Sequence, residues 1–327
     1  MSASPFLSRL AALLALSFLA SAVSLAQTEA YPARPLRMVV PYPPGGFTDI
    51  LGRLVSDRLG ARLGQPVVVE NRGGGGSVIG TDIVAKAAPD GYTLLLVAPD
   101  IAINESLVAR LPYSASRDFA PVMHAAWSPV VLVTHPSVRA ASVQELIELA
   151  RAEPGKLNFA SGGNGTGAHL MLELFKSRAG IDVVHVPFKG VGPATAGLLG
   201  GQVSGMFLQM AVARPHVAAG KLRGLATPSP KRSPAMPDLP TVAESGLPGF
   251  EAVPWFGFVV RAGTPQPIIG RLNTELAAVL QQPDVRKQLA DSGAEAVTGT
   301  PAEFGAFIQS EIARWARVVK ESGAKID

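Results

Sequence analysis

The residues that could do chemistry in this chain are few and widely spaced. The chain has no Cys, and its five histidines stand singly, without the i, i+4 or short-loop spacing of a zinc site. A Gly-x-Ser-x-Gly nucleophile elbow is absent, since residues 75–79 fail at the last place. Lys189 could form a Schiff base, but a cation that pairs with an anion explains it more simply. The pattern favours binding without turnover and requires no metal or cofactor.

Residues 38–49 contain the first stretch suited to an anion. Met38–Val40 are apolar and partly β-branched, which predicts a buried strand. Two prolines and two glycines follow, so the turn is stiff and the backbone can approach a ligand closely. Thr48 or Asp49 is predicted to cap the next helix, although Asp49 could instead bind a ligand amine. We expect the first N–H groups of this helix, which lack intrahelical acceptors, to attract an anion.

The same arrangement recurs near residue 160. Leu157–Ala160 predict a strand, residues 161–167 a glycine loop, and residues 168–175 a helix with one apolar face. Ser161 and Thr166 add hydroxyl groups beside free backbone N–H groups, a composition suited to a carboxylate. Two such units predict two lobes that share one bound anion. Four hydrogen bonds to a charged group, at about 1.5–3 kcal/mol each, would support the roughly −8 kcal/mol of a micromolar site.

Nucleotide and nucleic-acid binding are both disfavoured. Asn71–Ser77 includes four consecutive glycines, but it lacks the Gly-Lys-Ser/Thr of a Walker loop and the spacing of a dinucleotide fingerprint. We interpret it as a flexible turn. The net charge of +4 is spread along the chain without a polybasic run or a basic stripe with aromatic residues. We therefore expect no nucleic-acid partner.

The N-terminus predicts export. Arg9 precedes an uncharged apolar run from Leu10 to Val23, and Ser24-Leu25-Ala26 gives the small-x-small pattern of a signal-peptide cleavage site. The run is shorter than the roughly 20 residues of a membrane span. A buried N-terminal helix is the alternative. We expect cleavage after Ala26 and a periplasmic mature protein.

The rest of the chain alternates predicted strands and helices, which indicates an α/β fold. Ala98–Asn104 is predicted as a loop after the strand Tyr92–Val97, at the sheet edge where ligands bind in such folds. The proline-rich stretch from Ser229 to Phe250 is predicted as a surface crossing. The last helix should begin with the capping box Thr300–Glu303 and bury Trp315.

The order of these motifs resembles the Bug-type solute receptors, which are the extracytoplasmic binding proteins of tripartite tricarboxylate transporters. The resemblance covers essentially the whole mature chain and rests on the segments Val39–Gly46 with Asp49, Val69–Arg72, Pro89–Leu94, Leu157–Gly162, His185–Gly190 and Leu198–Val203. It implies a periplasmic binding protein-like (type II) α/β fold with two lobes, a ligand cleft between them and crossing hinge strands. The implied boundaries are 1–26 for the signal peptide, 27–127 plus 253–327 for lobe 1 and 128–252 for lobe 2.

The resemblance also implies a ligand site. The ligand's carboxylate is expected to bind between two loops, partly through ordered waters. The first loop contributes Tyr42, Pro44, Gly45, Gly46, Phe47, Thr48 and Asp49. The second loop contributes Ser161, Asn164, Gly165 and Thr166. The distal end of the ligand is expected to meet Asp100, Asn104, Lys189, Gln209 and Trp255. The chain departs from the family pattern at Asp100-Ile101, where a Thr-His pair is frequent, and at Leu208-Gln209, where an acid and an amide are common. These departures leave the identity of the carboxylate open.

Together these expectations describe a receptor that is not an enzyme. It should be a monomer, capture a small carboxylate by closure of its lobes, and present itself to membrane transporter subunits or to a membrane sensor. An exported α/β enzyme acting on an anionic substrate is the alternative. Turnover of a carboxylate by the purified protein would favour that alternative.

Overall fold

Strands and helices alternate along the described part of the chain. A computed structural model describes residues 31–322, so the predicted signal peptide and its cleavage site lie outside the described residues. Contacts divide the chain into Met1–Ala33 and Arg34–Asp327, and all elements below belong to the second unit. Among residues 31–322, no helix combines the length and the apolar character that a membrane span requires.

The elements follow the predicted order. The strands are β1 (Leu36–Val40), β2 (Val67–Asn71), β3 (Thr93–Val97), β4 (Phe119–Trp127), β5 (Val130–Thr134), β6 (Asn158–Ser161), β7 (Val184–Pro187), β8 (Gly205–Gln209), β9 (Arg223–Ala226), β10 (Trp255–Arg261) and β11 (Glu295–Ala296). The helices are α1 (Phe47–Leu63), α2 (Val78–Ala85), α3 (Asp100–Leu107), α4 (Val143–Ala152), α5 (Gly167–Ala179), α6 (Val191–Leu199), α7 (Met210–Ala218), α8 (Gln266–Leu280), α9 (Pro283–Asp291) and α10 (Pro301–Ser322).

A six-stranded sheet organises the first lobe, which we define as this sheet and the helices packed against it. Its strand order is β11-β4-β10-β3-β1-β2, with β1, β2 and β3 parallel and β10 antiparallel to both β3 and β4. Met38, Val39 and Val40 of β1 have no exposed surface, as expected for a strand that is covered on both faces. Trp315 of α10 packs into the same core, which confirms its predicted burial.

A five-stranded sheet organises the second lobe in the same way. Its order is β7-β6-β8-β5-β9, with β6, β7 and β8 parallel and β5 antiparallel to both β8 and β9. One apolar cluster contains Phe159, Phe175 and Phe207, and a separate cluster contains Met206 and Leu208. Since Phe207 lies between Met206 and Leu208 on β8, the two clusters cover opposite faces of the sheet.

The chain crosses between the lobes twice. It leaves the first lobe after Trp127 at the end of β4 and returns to it at Trp255, where β10 begins. The N–H of Ser128 donates to the carbonyl oxygen of Pro254 at 3.0 Å, so the two crossing segments run side by side. Two adjacent crossings of this kind form a hinge.

One local prediction is wrong, and one helix has no counterpart in the sequence analysis. The loop predicted over 98–104 is wrong, because α3 begins at Asp100 and buries Ile101 and Ile103 in the first-lobe core. Tertiary packing stabilises this short helix, which would be marginal alone. Residues 210–218, to which the sequence analysis assigns no element, form α7 with Pro215 in its interior. A proline at such a position argues against a helix when only the sequence is considered.

Candidate functional site

Asp49 fixes the turn between β1 and α1. Its carboxylate accepts hydrogen bonds from the N–H of Gly45 (3.1 Å), from Nε of Arg53 (3.0 Å) and from Nδ2 of Asn71 (2.9 Å). Burial raises the pKa of Asp49, but these hydrogen bonds outweigh burial and hold the pKa below its usual value. The carboxylate is therefore ionised, and its hydrogen bonds all run within the first lobe.

The N-terminus of α1 differs in detail from the prediction. Its N-cap is Gly46, and neither Thr48 nor Asp49 caps it. Asp49 is the third helical residue and accepts from the N–H of Gly45, just before the cap, much as the acid of a capping box does. Because the cap residue is glycine, no side chain covers the end of the helix.

Two main-chain donors remain at this helix end. The N–H groups of Phe47 and Thr48 have no acceptor among residues 31–322. They lie at the positive end of a 17-residue helix dipole. Pro43, Pro44 and Gly45 in front of them are exposed, whereas the ring of Phe47 is buried against Phe256 at 4.9 Å between centroids. The loop is therefore fixed by the packing of Phe47 against Phe256 and exposed to solvent at Pro43–Gly45.

The second loop is tightly bonded within itself. Oγ of Ser161 accepts from the N–H of Gly163 at 3.1 Å, and Oγ1 of Thr166 donates to the carbonyl oxygen of Gly163 at 2.8 Å. Thr166 is also the N-cap of α5, and the N–H of Gly165 donates to Nδ1 of His169. Two N–H groups near the start of α5, those of Asn164 and Ala168, have no acceptor within the described chain.

Two histidines that stand singly in the sequence lie together behind this loop. The rings of His169 and His185 stack at 4.1 Å, and Nε2 of His185 lies 2.6 Å from Oγ of Ser161. Burial lowers the pKa of His185 to about 3, with smaller contributions from His169 and Lys176, and burial also lowers the pKa of His169. Both rings are neutral at pH 7. The parallel pairing of β6 and β7 is the signal that could have placed His185 beside Ser161.

The two lobes contact each other beside the two loops. An added Cβ at Gly76 would collide with the carbonyl oxygen of Asn164, so the second loop lies directly on the glycine turn before α2. An added Cβ at Gly190 would lie 3.2 Å from Cγ of Pro43. The lobes are therefore closed against each other at these points.

Asp100 bridges the lobes beside the first loop. Its carboxylate accepts from the hydroxyl group of Tyr42 at 2.7 Å and from the N–H of Gly167, the first residue of α5, at 2.9 Å. Only 2% of its surface is exposed. Burial raises the pKa of Asp100 to about 6 despite both donors, and burial together with the Asp100 charge raises the pKa of Tyr42 well above its ordinary value.

The remaining predicted distal residues are dispersed. Asn104 is fully buried and donates through Nδ2 to the carbonyl oxygen of Gly76 at 2.8 Å. Lys189 is exposed after β7, and Gln209 is half-buried at the start of α7. Trp255 has no exposed surface and donates through Nε1 to Glu311 at 2.8 Å in the first-lobe core. The structure thus brings Tyr42 and Asp100 together and places Trp255 inside the core.

A cavity of about 430 Å³ lies elsewhere, at the hinge. Its walls include Trp127 and Val253 from the crossing segments and residues 229–235 from the proline-rich stretch. None of the predicted site residues lines it. Over residues 31–322, the structure contains no group of three or more His, Asp or Glu side chains placed to hold a metal ion.

Comparison with known proteins places this architecture. Residues 51–324 match the family model described as "Tripartite tricarboxylate transporter family receptor". The chain is 45% identical to Protein BugT of Bordetella pertussis over 300 residues, which cover 91% of this chain and 92% of that protein. It is also similar to two solved structures from Rhodopseudomonas palustris. The structure of Rpa4515 with adipate is 36% identical in sequence, with a TM-score of 0.86, and the match covers 90% of this chain and 100% of the Rpa4515 chain. The structure of MatC with bound malate is 34% identical in sequence, with a TM-score of 0.84, and the match covers 88% of this chain and 100% of the MatC chain.

Proposed function

Because the chain belongs to the tripartite tricarboxylate transporter receptor family, we propose that it captures a small carboxylate between its two lobes for delivery to a membrane partner. The family consists of solute-binding receptors, not enzymes. Two solved relatives contain adipate and malate, which supports a carboxylate as the ligand class.

The N-terminus of α1 is the proposed seat for the acid group. The observation that carries this proposal is that the N–H groups of Phe47 and Thr48, which lie behind an exposed glycine turn, have no acceptor in the described part of the chain. The N–H groups of Asn164 and Ala168 supply the donors from the second lobe. Hydrogen bonds to a charged group contribute about 1.5–3 kcal/mol each, so four of them suffice for micromolar affinity after the cost of capture.

The other features of the proposal concern the whole protein. We assign residues 27–127 and 253–327 to the first lobe and 128–252 to the second. The separation of β1–β4, β10 and β11 from β5–β9 into two sheets supports this proposal. Cleavage after Ala26 would release a periplasmic monomer. Its partner is a membrane transporter subunit or a membrane sensor that recognises the closed form.

The seat is tested by a bulky side chain at Gly46. Gly46 has φ −86°, which any residue can adopt, and no atom lies within 4 Å of an added Cβ. We expect the mature Gly46→Leu variant to fold normally and to bind carboxylates at least about tenfold more weakly, which equals about 1.4 kcal/mol. A thermal-shift panel of mono- and dicarboxylates measures this, since a ligand at 100 times its Kd stabilises the wild type by about 2.7 kcal/mol.

Gly270→Leu is the matched control. Gly270 is an exposed residue of α8 whose added Cβ also meets no atom within 4 Å. This variant should retain the full ligand-induced shift. A Gly46→Leu protein that binds as tightly as Gly270→Leu would contradict the proposed seat.

A further inference from the structure

The cavity of about 430 Å³ at the hinge plays no part in the proposed carboxylate seat. Its volume lies in the range of roughly 300–1,000 Å³ that is typical of small-molecule sites. Residues 290–295 of the first lobe and residues 229–235 of the second lobe both contribute to its walls. An added Cβ at Gly293 would lie 3.1 Å from Sδ of Met210 and 3.5 Å from Cβ of Ala235, so the two lobes also touch beside the cavity. A molecule in this cavity would therefore contact both lobes.

The order of the strands separates the hinge cavity from the proposed seat. In the first sheet, the crossing strands β4 and β10 have β11 on one side and β3, β1 and β2 on the other. In the second sheet, β5 has β9 on one side and β8, β6 and β7 on the other. The two loops follow β1 and β6, whereas the cavity walls include a residue of β11 and the stretch after β9. The hinge cavity thus lies on the far side of the crossing segments and is distinct from the seat.

The first-lobe wall of the hinge cavity suits a cation. Glu295 of β11 pairs directly with Trp127 of β4, and residues opposite each other in an antiparallel pair project from the same face of the sheet. Both line the cavity, and Trp127 is only half-buried, although its ring packs edge-on against His124 and Phe307. A carboxylate beside an indole ring attracts an ammonium group through its charge and through the cation–π interaction. Glu251 adds a second carboxylate to the walls.

The other wall groups do not cancel this preference. Arg232 forms an ion pair with Glu244 at 3.0 Å, outside the cavity lining, so that exposed Lys231 is the remaining cation of the lining against two carboxylates. Three of the wall residues are prolines, which offer carbonyl oxygens but no N–H group. Apolar wall residues, which include Val253 and Ala294, suit the hydrocarbon part of a ligand. The lining therefore favours a ligand that carries a positively charged hydrogen-bond donor on an apolar body.

We propose that the hinge cavity is a second ligand site, which takes a small organic amine with an apolar body and favours the closed lobes when it is occupied. The two sites then select opposite charges, an acid in the cleft and an amine at the hinge. Closure is favoured because opening moves the two walls relative to each other, so an amine that contacts both walls binds the closed arrangement more tightly. By linkage, a bound amine raises the affinity of the cleft for its carboxylate. This coupling, unlike the site itself, rests on the proposed function.

A charge series on one apolar body tests the site. Phenethylamine, 2-phenylethanol and 3-phenylpropionate share the phenylethyl group and differ in the charge at its end. When ¹H–¹⁵N spectra of the mature protein follow a titration with each compound at pH 7.5, the indole N–H signal of Trp127 should shift; a Trp127→Phe variant assigns this signal. The indole signals of Trp255 and Trp315, both bonded to Glu311 in the core, should stay in place. The amine should bind at least tenfold more tightly than the acid, with the alcohol between them.

Removal of one wall charge tests the preference for an amine. Glu295→Gln should weaken binding of the amine at least fivefold and leave the affinity for the alcohol unchanged. Glu148→Gln is the matched control, because it makes the same change at an exposed residue of α4 that does not line the cavity, and it should bind the amine as the wild type does. The charge series on the wild type tests the proposal without any variant. An acid that binds at Trp127 as tightly as the amine, or an amine that leaves the Trp127 signal unmoved, would overturn the proposal.

The affinity of the cleft tests the coupling. Calorimetric titration with the carboxylate that stabilises the protein most should show at least threefold tighter binding when phenethylamine saturates the hinge cavity, whereas ammonium chloride at the same concentration should give no gain. An unchanged carboxylate affinity would overturn the coupling and with it the proposal.

The amine titration needs no carboxylate, so the two proposals fail separately. A protein that binds the amine at Trp127 but binds no acid rejects the proposed function and leaves the second site in place. A protein that binds an acid in the cleft but no amine at the hinge rejects the second site alone.

Discussion

Asp49 and Asp100 are buried acids of the same cleft whose pKa values move in opposite directions. Asp49 accepts three hydrogen bonds, two of them from Arg53 and Asn71, and its pKa stays below the ordinary value. Asp100 is more deeply buried and has no cationic partner, so its pKa rises to about 6. The ionised Asp49 carboxylate therefore stabilises the loop, whereas ionisation of Asp100 destabilises the closed protein.

The titration of Asp100 gives a prediction for stability. Its pKa rises from 3.8 to about 6 on folding, so the native state binds the proton more tightly than the unfolded state. The contribution of this group to stability is then greatest below about pH 4 and falls as the pH rises through 6. We expect the free energy of unfolding of Asp100→Asn, relative to the wild type, to increase by about 2 kcal/mol between pH 4.5 and pH 7.5.

Urea unfolding of both proteins at the two pH values measures this difference. The buried histidines titrate in the same range, but they are present in both proteins and cancel in the comparison. A difference that is independent of pH, or that decreases as the pH rises, would contradict the raised pKa of Asp100.

Residue roles could be predicted from the sequence when the partners are near in the chain. Asp49 lies four residues from Gly45, and a role at the start of α1 was predicted for it, although as the helix cap. Asp100 bonds to Tyr42 across 58 residues and to Gly167 across 67, so its partners were not predicted. The pairing of β1 with β3 brings Tyr42 and Asp100 to one sheet edge, and that pairing is a tertiary fact.

At the scale of elements, the two strand–loop–helix units confirm the sequence prediction, because glycine, proline and apolar spacing are local signals. The units differ in their free donors. Among the residues that the structure describes, the N–H groups of Phe47 and Thr48 in the β1–α1 unit have no acceptor. In the β6–α5 unit, Ser161, Thr166 and Asp100 supply most of the loop's hydrogen bonds. The sequence could not distinguish them, since both carry glycine loops of similar composition.

Contact between the glycine turn before α2 and the second loop gives a prediction on lobe closure. Gly76 has φ +60°, and its added Cβ would collide with the carbonyl oxygen of Asn164. We expect Gly76→Ala to hold the lobes apart, with a larger radius of gyration by small-angle X-ray scattering and at least about tenfold weaker binding of a carboxylate. The circular dichroism spectrum of the variant should match that of the wild type, because both lobes stay folded.

Gly75→Ala is a closely matched control. Gly75 has φ +59°, so alanine there carries the same left-handed strain of roughly 1–2 kcal/mol. Its added Cβ lies 3.5 Å from Cβ of Val78 and meets no atom of the second lobe. Gly75→Ala should therefore close and bind normally. Equal affinity of the two variants would show that this contact does not govern closure.

For the molecule as a whole, the fold class followed from the order of motifs, while the closed arrangement of the lobes did not. Closure depends on contacts such as Pro43 with Gly190 and Asp100 with Gly167, which join residues from different sheets. Helix α7, which packs through Met210 and Ala213 on the second-lobe sheet, and the hinge cavity beside Trp127 likewise depend on tertiary packing. Local sequence patterns do not predict contacts of this kind.

The central claim is that main-chain donors from both lobes hold one carboxylate. It is tested by recording ¹H–¹⁵N amide spectra of the mature protein during titration with the acid that stabilises it most. We predict that the largest shifts on saturation occur at the N–H groups of Phe47 and Thr48 in one lobe and of Asn164 and Ala168 in the other. Shifts confined to a single lobe, or centred on Trp127 and Val253 at the hinge, would contradict the claim.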